Sequence, residues 1–269
     1  MKPTRWLNRR AGLVWRLISL AIVGIRSKCV AVIAVKKPSK SCQVPGLERI
    51  IMDRFEIRQG SFVEVGAFDG ERFSNTSWLA DNGWQGIYIE PSSEFARYCR
   101  VRHYFNRVAV VCCAAGKDDS VVTFMQAGAI STISLETFLE YDRLPWARKL
   151  VKRKLEMHET RIQTLDALLR ERDCQPSFEL LVVDVEGYEE NVFEGFDIRY
   201  WQPKLMIVEL HDDHPDFQSN APLVASAMRV RTKILEAGYI EVYRDDINTI
   251  FENSGSLAQA KPHAVPAAK

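Results

Sequence analysis

Nearly continuous apolar runs at 61–66, 85–90, 107–113, 180–184 and 204–210 alternate along the chain with segments of helical spacing at 75–82, 95–104, 191–196 and 223–237. A run apolar at every position predicts a strand covered on both faces, because a half-exposed strand would alternate with polar residues. Strands that alternate with helices predict a mostly parallel sheet with right-handed crossovers. A further helix is expected over 47–58, covering the sheet edge. The segments 238–243 and 249–251, joined through 244–248, predict a closing antiparallel hairpin.

The 66 residues between Cys113 and Leu180 are too many for a simple crossover. Residues 120–126 alternate like a strand, and 126–134 are small and polar. Residues 135–159 are charged, with Trp146 and the run Arg148-Lys-Leu-Val-Lys-Arg-Lys154. Thr164 is the expected N-cap of a helix that starts at Leu165. An insert around 114–163 is therefore expected to form a lid or rim at the carboxyl ends of the strands. The organisation predicted is an arm at 1–45, one domain at 46–254 with this insert, and a disordered tail at 255–269 rich in Ala, Gly, Pro and Lys.

The formal net charge of +1 hides a division. Residues 1–40 hold ten of the 36 Lys and Arg and no acid, so the remaining 26 bases face all 35 acids, a net of −9. A body that acidic is a poor nucleic-acid binder, and no nucleic-acid partner is expected. In the arm, Leu13–Ile25 and Cys29–Val35 are apolar, yet neither reaches the roughly 20 residues of a spanning helix. The pattern, with Trp6 and Trp15, suits a helix lying on an anionic membrane surface, or one packed on protein. The six cysteines form no CxxC pair, so a reducing, cytoplasmic setting at the inner face of a membrane is expected.

The segment Phe62-Val-Glu-Val-Gly-Ala-Phe-Asp-Gly70 runs a strand into a glycine loop, and Gly86-Ile-Tyr-Ile-Glu90-Pro91 ends the next strand in an acid. The spacing from Gly66 to Glu90 is 24 residues, close to the roughly 20 that separate a nucleotide loop from its ribose-binding acid. The loop lacks the third glycine of a pyrophosphate cradle, and Glu64 and Asp69 bracket it. Those acids disfavour a diphosphate, and with it a dinucleotide-dependent oxidoreductase, and favour a cationic ligand. S-adenosyl-L-methionine carries a sulfonium, an ammonium and no phosphate, so the expected cofactor is S-adenosylmethionine and the expected activity methyl transfer.

Two further constellations follow strands. In Asp184-Val-Glu-Gly-Tyr-Glu-Glu190, extended alternation would put Asp184 and Glu186 on one side, with Gly187 turning the chain into a helix. Glu186 is a candidate general base, and the alternative is that Glu186 and Glu189 cap the helix start. In Glu209-Leu-His-Asp-Asp-His214, His211 is the other candidate base. A competing arrangement makes Asp184, Glu186, His211 and His214 ligands of a divalent ion; the expectation is catalysis by base and alignment, with no metal.

With these sites placed, the chain resembles the FkbM-type methyltransferases. The matching pieces are Phe62–Gly70, Ile89-Glu-Pro91, Thr164-Leu-Asp166, Val183-Asp-Val-Glu-Gly187, Val208-Glu-Leu-His211 and Asn248-Thr-Ile-Phe251. The resemblance implies a Rossmann-like class I methyltransferase fold of the α/β class with a C-terminal antiparallel hairpin. It implies O-methylation of a sugar, glycan or other small metabolite. It places Glu64, Gly66 and Gly70 at the methionine part of the cofactor, Glu90 on the ribose, Asp184 and Glu186 beside the transfer site and His211 on the strand-five histidine; Asp69 and Asp184 are also expected to contact the cofactor. Where the family usually carries Asp, this chain has Glu64, which keeps the charge on a longer arm. The alternative to an enzyme is an inactive scaffold of the same fold serving as a membrane-associated interaction protein.

Overall fold

The computed structural model describes residues 42–55 and 59–257. Residues 1–41 of the expected arm and residues 258–269 of the expected tail lie outside the described residues. Where that tail was expected to begin, 254–257 form a helical turn.

Helix α1 (Leu47–Met52) buries Leu47 and Ile51; it is shorter than expected, and 56–58 lie outside the described residues. Strand β1 (Ser61–Val65) is followed by α2 (Ser77–Asp81), β2 (Gln85–Ile89), α3 (Ser93–Arg102) and β3 (Val108–Val111). The insert then supplies β4 (Ala114–Gly116), β5 (Ser120–Gln126), α4 (Leu135–Arg143), α5 (Pro145–Lys154) and β6 (Glu156–Thr164). Helix α6 (Leu165–Glu171), β7 (Leu180–Val183), α7 (Glu189–Glu194), α8 (Ile198–Trp201) and β8 (Leu205–Glu209) return the chain to the main sheet. It closes with α9 (Ala221–Glu236), β9 (Tyr239–Arg244) and β10 (Asn248–Asn253).

The main sheet has seven strands in the order β3-β2-β1-β7-β8-β10-β9. The first five are parallel, and β10 runs antiparallel to both β8 and β9, the closing hairpin the sequence predicts. Strand order reverses between β1 and β7, and a crevice opens beyond the carboxyl ends of the strands at such a point. Alternate residues feed two cores. Val63, Val65, Ile87, Ile89, Leu181 and Val183 pack on one face. Phe62, Tyr88, Leu180, Val182, Leu205 and Ile207 pack on the other. Each such buried side chain contributes about 1.5–3 kcal/mol, so two covered faces make the sheet a stiff platform for its loops. Glu64 shares the face of Phe62 and is drawn inward with it.

The insert is a unit of its own. Strands β4, β6 and β5 form a second sheet in that order, with β6 parallel to β4 and antiparallel to β5. Strand β5 matches the expected span; β6 extends over residues that the sequence shows as a charged region, because its first half is largely exposed and only Thr160, Ile162 and Gln163 are buried. Helices α4 and α5 pack Tyr141, Ala147 and Val151 against Ala127, Ile130, Phe217 and Leu223. Thr164 ends the insert as predicted, its Oγ1 accepting from the Ala167 N–H at 3.2 Å. Among the described residues no helix is long and apolar enough to cross a membrane.

Candidate active site

A cavity of about 600 Å³ lies beyond the carboxyl ends of β1, β2, β7 and β8, within the range of small-molecule sites. The insert closes one side with residues 128–133, Tyr141 and Trp146. Glu64, Gly66, Glu90, Asp184, Glu186 and His211 all line it, so six of the expected site residues meet in one space. Asp69 and Gly70 are not among its lining residues.

The loop after β1 is shaped by close approach. Gly66 has φ +88°, and a Cβ there would stand 1.6 Å from the carbonyl oxygen of Asp184, so the β1 loop runs directly against the end of β7. Gly66 N–H donates to Ile89 O at 2.9 Å and Asp184 N–H to Val65 O at 3.0 Å, locking three strand ends together. Asp69 turns the loop rather than facing the cavity: its carboxylate accepts from the N–H groups of Glu71 and Arg72 and pairs with Arg72 Nε at 2.6 Å. Gly70, at φ +73°, packs against the His103 ring, whose Nε2 lies 2.7 Å from Gly70 O.

Glu64 and Glu90 are buried and well held. Glu64 accepts from Ser74 Oγ at 2.9 Å, from Thr76 Oγ1 and from the Asn75 N–H at 3.3 Å, so the start of α2 closes over it. Burial still pushes its carboxyl up to about 7. Glu90 accepts from the N–H groups of Phe68 at 2.9 Å and Ser92 at 2.8 Å, and burial raises it to about 8. Each Glu90 oxygen keeps a lone pair for a further donor.

The segment after β7 departs from simple alternation. The strand stops at Val183, Glu186 takes φ +56° and Gly187 φ +84°, so both carboxylates reach the cavity through a tight turn rather than an extended run. The two glutamates considered as helix caps divide the work. Glu189 Oε1 accepts from the N–H groups of Val185 at 3.1 Å and Gly187 at 3.2 Å and so holds the turn. Glu186 instead faces the cavity and accepts from the Tyr141 hydroxyl, while its carbonyl accepts from Thr132 Oγ1 at 2.7 Å. The insert thus fixes the turn at both ends of one residue. Burial, reinforced by the charge of Asp184, raises Glu186 well above the ordinary carboxylate range.

After β8, His211 is buried with its ring centroid 4.4 Å from that of Phe217. Burial, then repulsion from His214, lowers it to about 4, so it is neutral at physiological pH. His214 lines the cavity and accepts from the Asp216 N–H at 3.2 Å. Asp212 and Asp213 point elsewhere: Asp212 pairs with Arg231 at 2.6 Å and Arg244 at 3.3 Å, and Asp213 with Arg244.

Glu209, not among the expected site residues, is the residue the sequence reading missed. It lines the cavity and lies 3.6 Å from His211 Nε2, and its Oε2 is buried without a hydrogen-bond partner among the described residues. Burial, then the charges of Asp184 and Glu186, raise it well above its ordinary value. Its signal is an acid closing an apolar run, one step beyond Val208 as Glu90 is one step beyond Ile89 in the same row of the sheet. Tyr141 gave no comparable signal, because its partner is 45 residues away. Asp184, Glu186 and Glu209 thus crowd one end of the cavity, and Arg72 is the one Lys or Arg among the described lining residues.

A family model described as the methyltransferase FkbM domain matches residues 64–241. Among solved structures, an O-methyltransferase from Bacillus cereus in complex with SAH aligns at 14% identity, covering 85% of this chain and 80% of that chain, with TM-score 0.41. A TehB-like SAM-dependent methyltransferase from Corynebacterium glutamicum aligns at 9% identity over 93% of this chain and 100% of that chain, with TM-score 0.39. No curated protein matches the chain.

Proposed function

Because the chain belongs to the FkbM methyltransferase family, we propose that it moves a methyl group from S-adenosylmethionine to a hydroxyl oxygen of a sugar, glycan or other small metabolite. S-adenosylmethionine is the methyl donor. Glu90 takes the ribose hydroxyls, and the loop at Gly66 with Glu64 behind it borders the methionine part. Asp69 and Gly70 shape that loop from outside the cavity.

The acceptor meets the methyl group at the ends of β7 and β8. Its oxygen lone pair forms the new bond to carbon while the carbon–sulfur bond breaks. The released pair stays on sulfur, and the sulfonium becomes the neutral thioether of S-adenosylhomocysteine. Alignment of the two partners supplies much of the rate, since effective molarity is worth about 7–11 kcal/mol in well-oriented cases. The hydroxyl proton leaves to a base, for which Glu186 and His211 stand ready, with Asp184 beside them favouring the cationic donor. Neutral His211 can accept a proton directly; Glu186 becomes a base once a bound positive charge lowers its raised pKa.

The observation that carries this reading is the meeting in one cavity of a strand-end acid suited to a ribose with an acid cluster that a phosphate would not tolerate. Incubation with methyl-labelled S-adenosylmethionine and a panel of soluble glycans and lipid-linked sugars tests it. Label is expected in one class of acceptor with equal release of S-adenosylhomocysteine. No acceptor-dependent release across the panel, from protein that binds the cofactor, counts for the inactive scaffold.

We assign residues 1–40 to contact with an anionic membrane surface, on the strength of ten bases without an acid among apolar residues. Removing them should abolish sedimentation with anionic liposomes and spare activity on a soluble acceptor. Equal sedimentation of both proteins would contradict the assignment.

A further inference from the structure

We propose that Glu186, Glu209 and His211 form a binding site for one divalent cation of the manganese, iron(II) or zinc class, at the acceptor end of the cavity. This rests on the methyltransferase reading for its role, and departs from the expectation of metal-free catalysis. One carboxylate oxygen from each glutamate and one ring nitrogen of His211 lie within 4.8 Å of one another. Two ligands about 2.1 Å from an ion stand at most about 4.2 Å apart, so a side-chain adjustment of under an ångström closes the set.

Proximity of acids alone would be weak support. The second observation is Glu209: the residue is 6% exposed, faces the cavity, and its Oε2 has no hydrogen-bond donor among the described residues. A buried carboxylate oxygen without a partner costs about 1–3 kcal/mol or more, and folded chains rarely leave one without a compensating group. The neighbours deepen that demand rather than meet it. Asp184, which shares a side-chain hydrogen bond with Glu209, is itself an acid and, like Glu186, opposes its ionisation, and Glu189 is committed to the 185–187 turn. The nearby Arg231 and Arg244 are held by Asp212, Asp213 and Glu241. What the site lacks is a compact positive charge.

The donor set selects the ion. Two carboxylates and one neutral imidazole suit manganese, iron(II) or zinc; calcium and magnesium prefer oxygen alone. Three protein ligands leave positions open, which is the pattern of a working rather than a structural site. An acceptor hydroxyl entering one of them is oriented and made more acidic, and its proton passes to water at the cavity mouth. Glu186 and His211 then serve as ligands in place of acting as bases.

Calorimetric titration of the full-length, chelator-stripped protein with MnCl₂ and with ZnCl₂, with and without S-adenosylhomocysteine, tests the site. One equivalent of Mn²⁺ or Zn²⁺ is expected to bind and raise the Tm. Glu209→Gln and His211→Ala should each weaken binding by about tenfold or more while leaving S-adenosylhomocysteine affinity in place, which also shows that the variants fold. Wild-type protein that takes up neither ion at millimolar concentration overturns the proposal, as does binding unchanged in both variants. Failure of S-adenosylhomocysteine to bind would count against the methyltransferase reading instead, whatever the cation does.

Discussion

The two halves of the cavity are built on opposite terms. On the cofactor side, Glu64 receives bonds from Ser74, Asn75 and Thr76, Glu90 receives two backbone N–H groups, and Gly66 gives the clearance that lets β1 and β7 ends touch. On the acceptor side, Glu186 leans on Tyr141 of the insert, and a Glu209 oxygen has no donor at all among the described residues. The first half is finished by the sheet and its own loops, before any ligand arrives. The second half crowds carboxyl groups whose ionisation burial and mutual repulsion oppose, so a bound positive group would draw them into the charged form. On the function proposed above, the cationic donor binds a half that is already arranged and then completes the half where the acceptor would be activated.

Breaking the acceptor half should cost turnover most. Glu186→Gln and His211→Ala should each lower kcat by about 10²- to 10⁴-fold with little change in S-adenosylhomocysteine affinity. Equal losses in affinity would move these residues to the cofactor half. The sharpest structural blow to the cofactor half is Gly66→Ala, whose Cβ would overlap the Asp184 carbonyl at 1.6 Å. A left-handed alanine and forced displacement together cost about 2–5 kcal/mol, read as a lower denaturant midpoint, with cofactor binding lost. Next comes Glu90→Ala, which removes a buried acceptor outside the two main cores. A charge-assisted bond is worth about 1.5–3 kcal/mol, so above about pH 8, where Glu90 ionises, S-adenosylhomocysteine affinity should fall about 10- to 100-fold. The Tm should fall as well, because the Phe68 and Ser92 N–H groups lose their acceptor. Unaltered affinity in calorimetry would remove Glu90 from the ribose.

The smallest effect is on pH. In the folded chain Glu64 and Glu189 ionise near 7 and Glu90 near 8, against an ordinary value of 4.5. The folded state therefore holds more protons than the unfolded one in this window. Their contribution is full below about 4.5 and is lost as pH rises through 7 to 8. His103 and His211, held down to about 4, act in the opposite sense, but only up to their ordinary 6.5. The Tm of the ligand-free protein should thus fall between about pH 6.5 and 8.5, and S-adenosylmethionine should reduce the fall. A Tm that rises over that interval would show these acids to be ionised and compensated within the protein.

The difference between the halves also decides what could be read from the sequence. The cofactor half is local: the run 62–65, Gly66 and Glu90 sit in consecutive strand-loop units, and a doubly covered parallel sheet writes its strands as unbroken apolar runs. The closing hairpin and the Thr164 cap were legible for the same reason. The acceptor half is assembled from distant pieces. Strand β6 buries only its second half and reads as a charged segment, and Tyr141 reaches Glu186 across 45 positions. In the segment after β8, Asp212 and Asp213 are drawn off by Arg231 and Arg244, leaving Glu209 and His211 facing the cavity. Asp69 brackets the glycine loop and so reads as an acid facing the cationic ligand, whereas its bonds to the Glu71 and Arg72 N–H groups use it to form the turn.

The central claim is that this cavity is shaped for a cationic adenosyl ligand and not for a pyrophosphate. Titrating the purified protein with S-adenosylhomocysteine and, in parallel, with NAD tests that claim most directly. The account predicts saturable one-to-one binding of S-adenosylhomocysteine, weakened by Glu90→Ala, and no measurable heat from NAD. Binding of NAD with S-adenosylhomocysteine inert would contradict it.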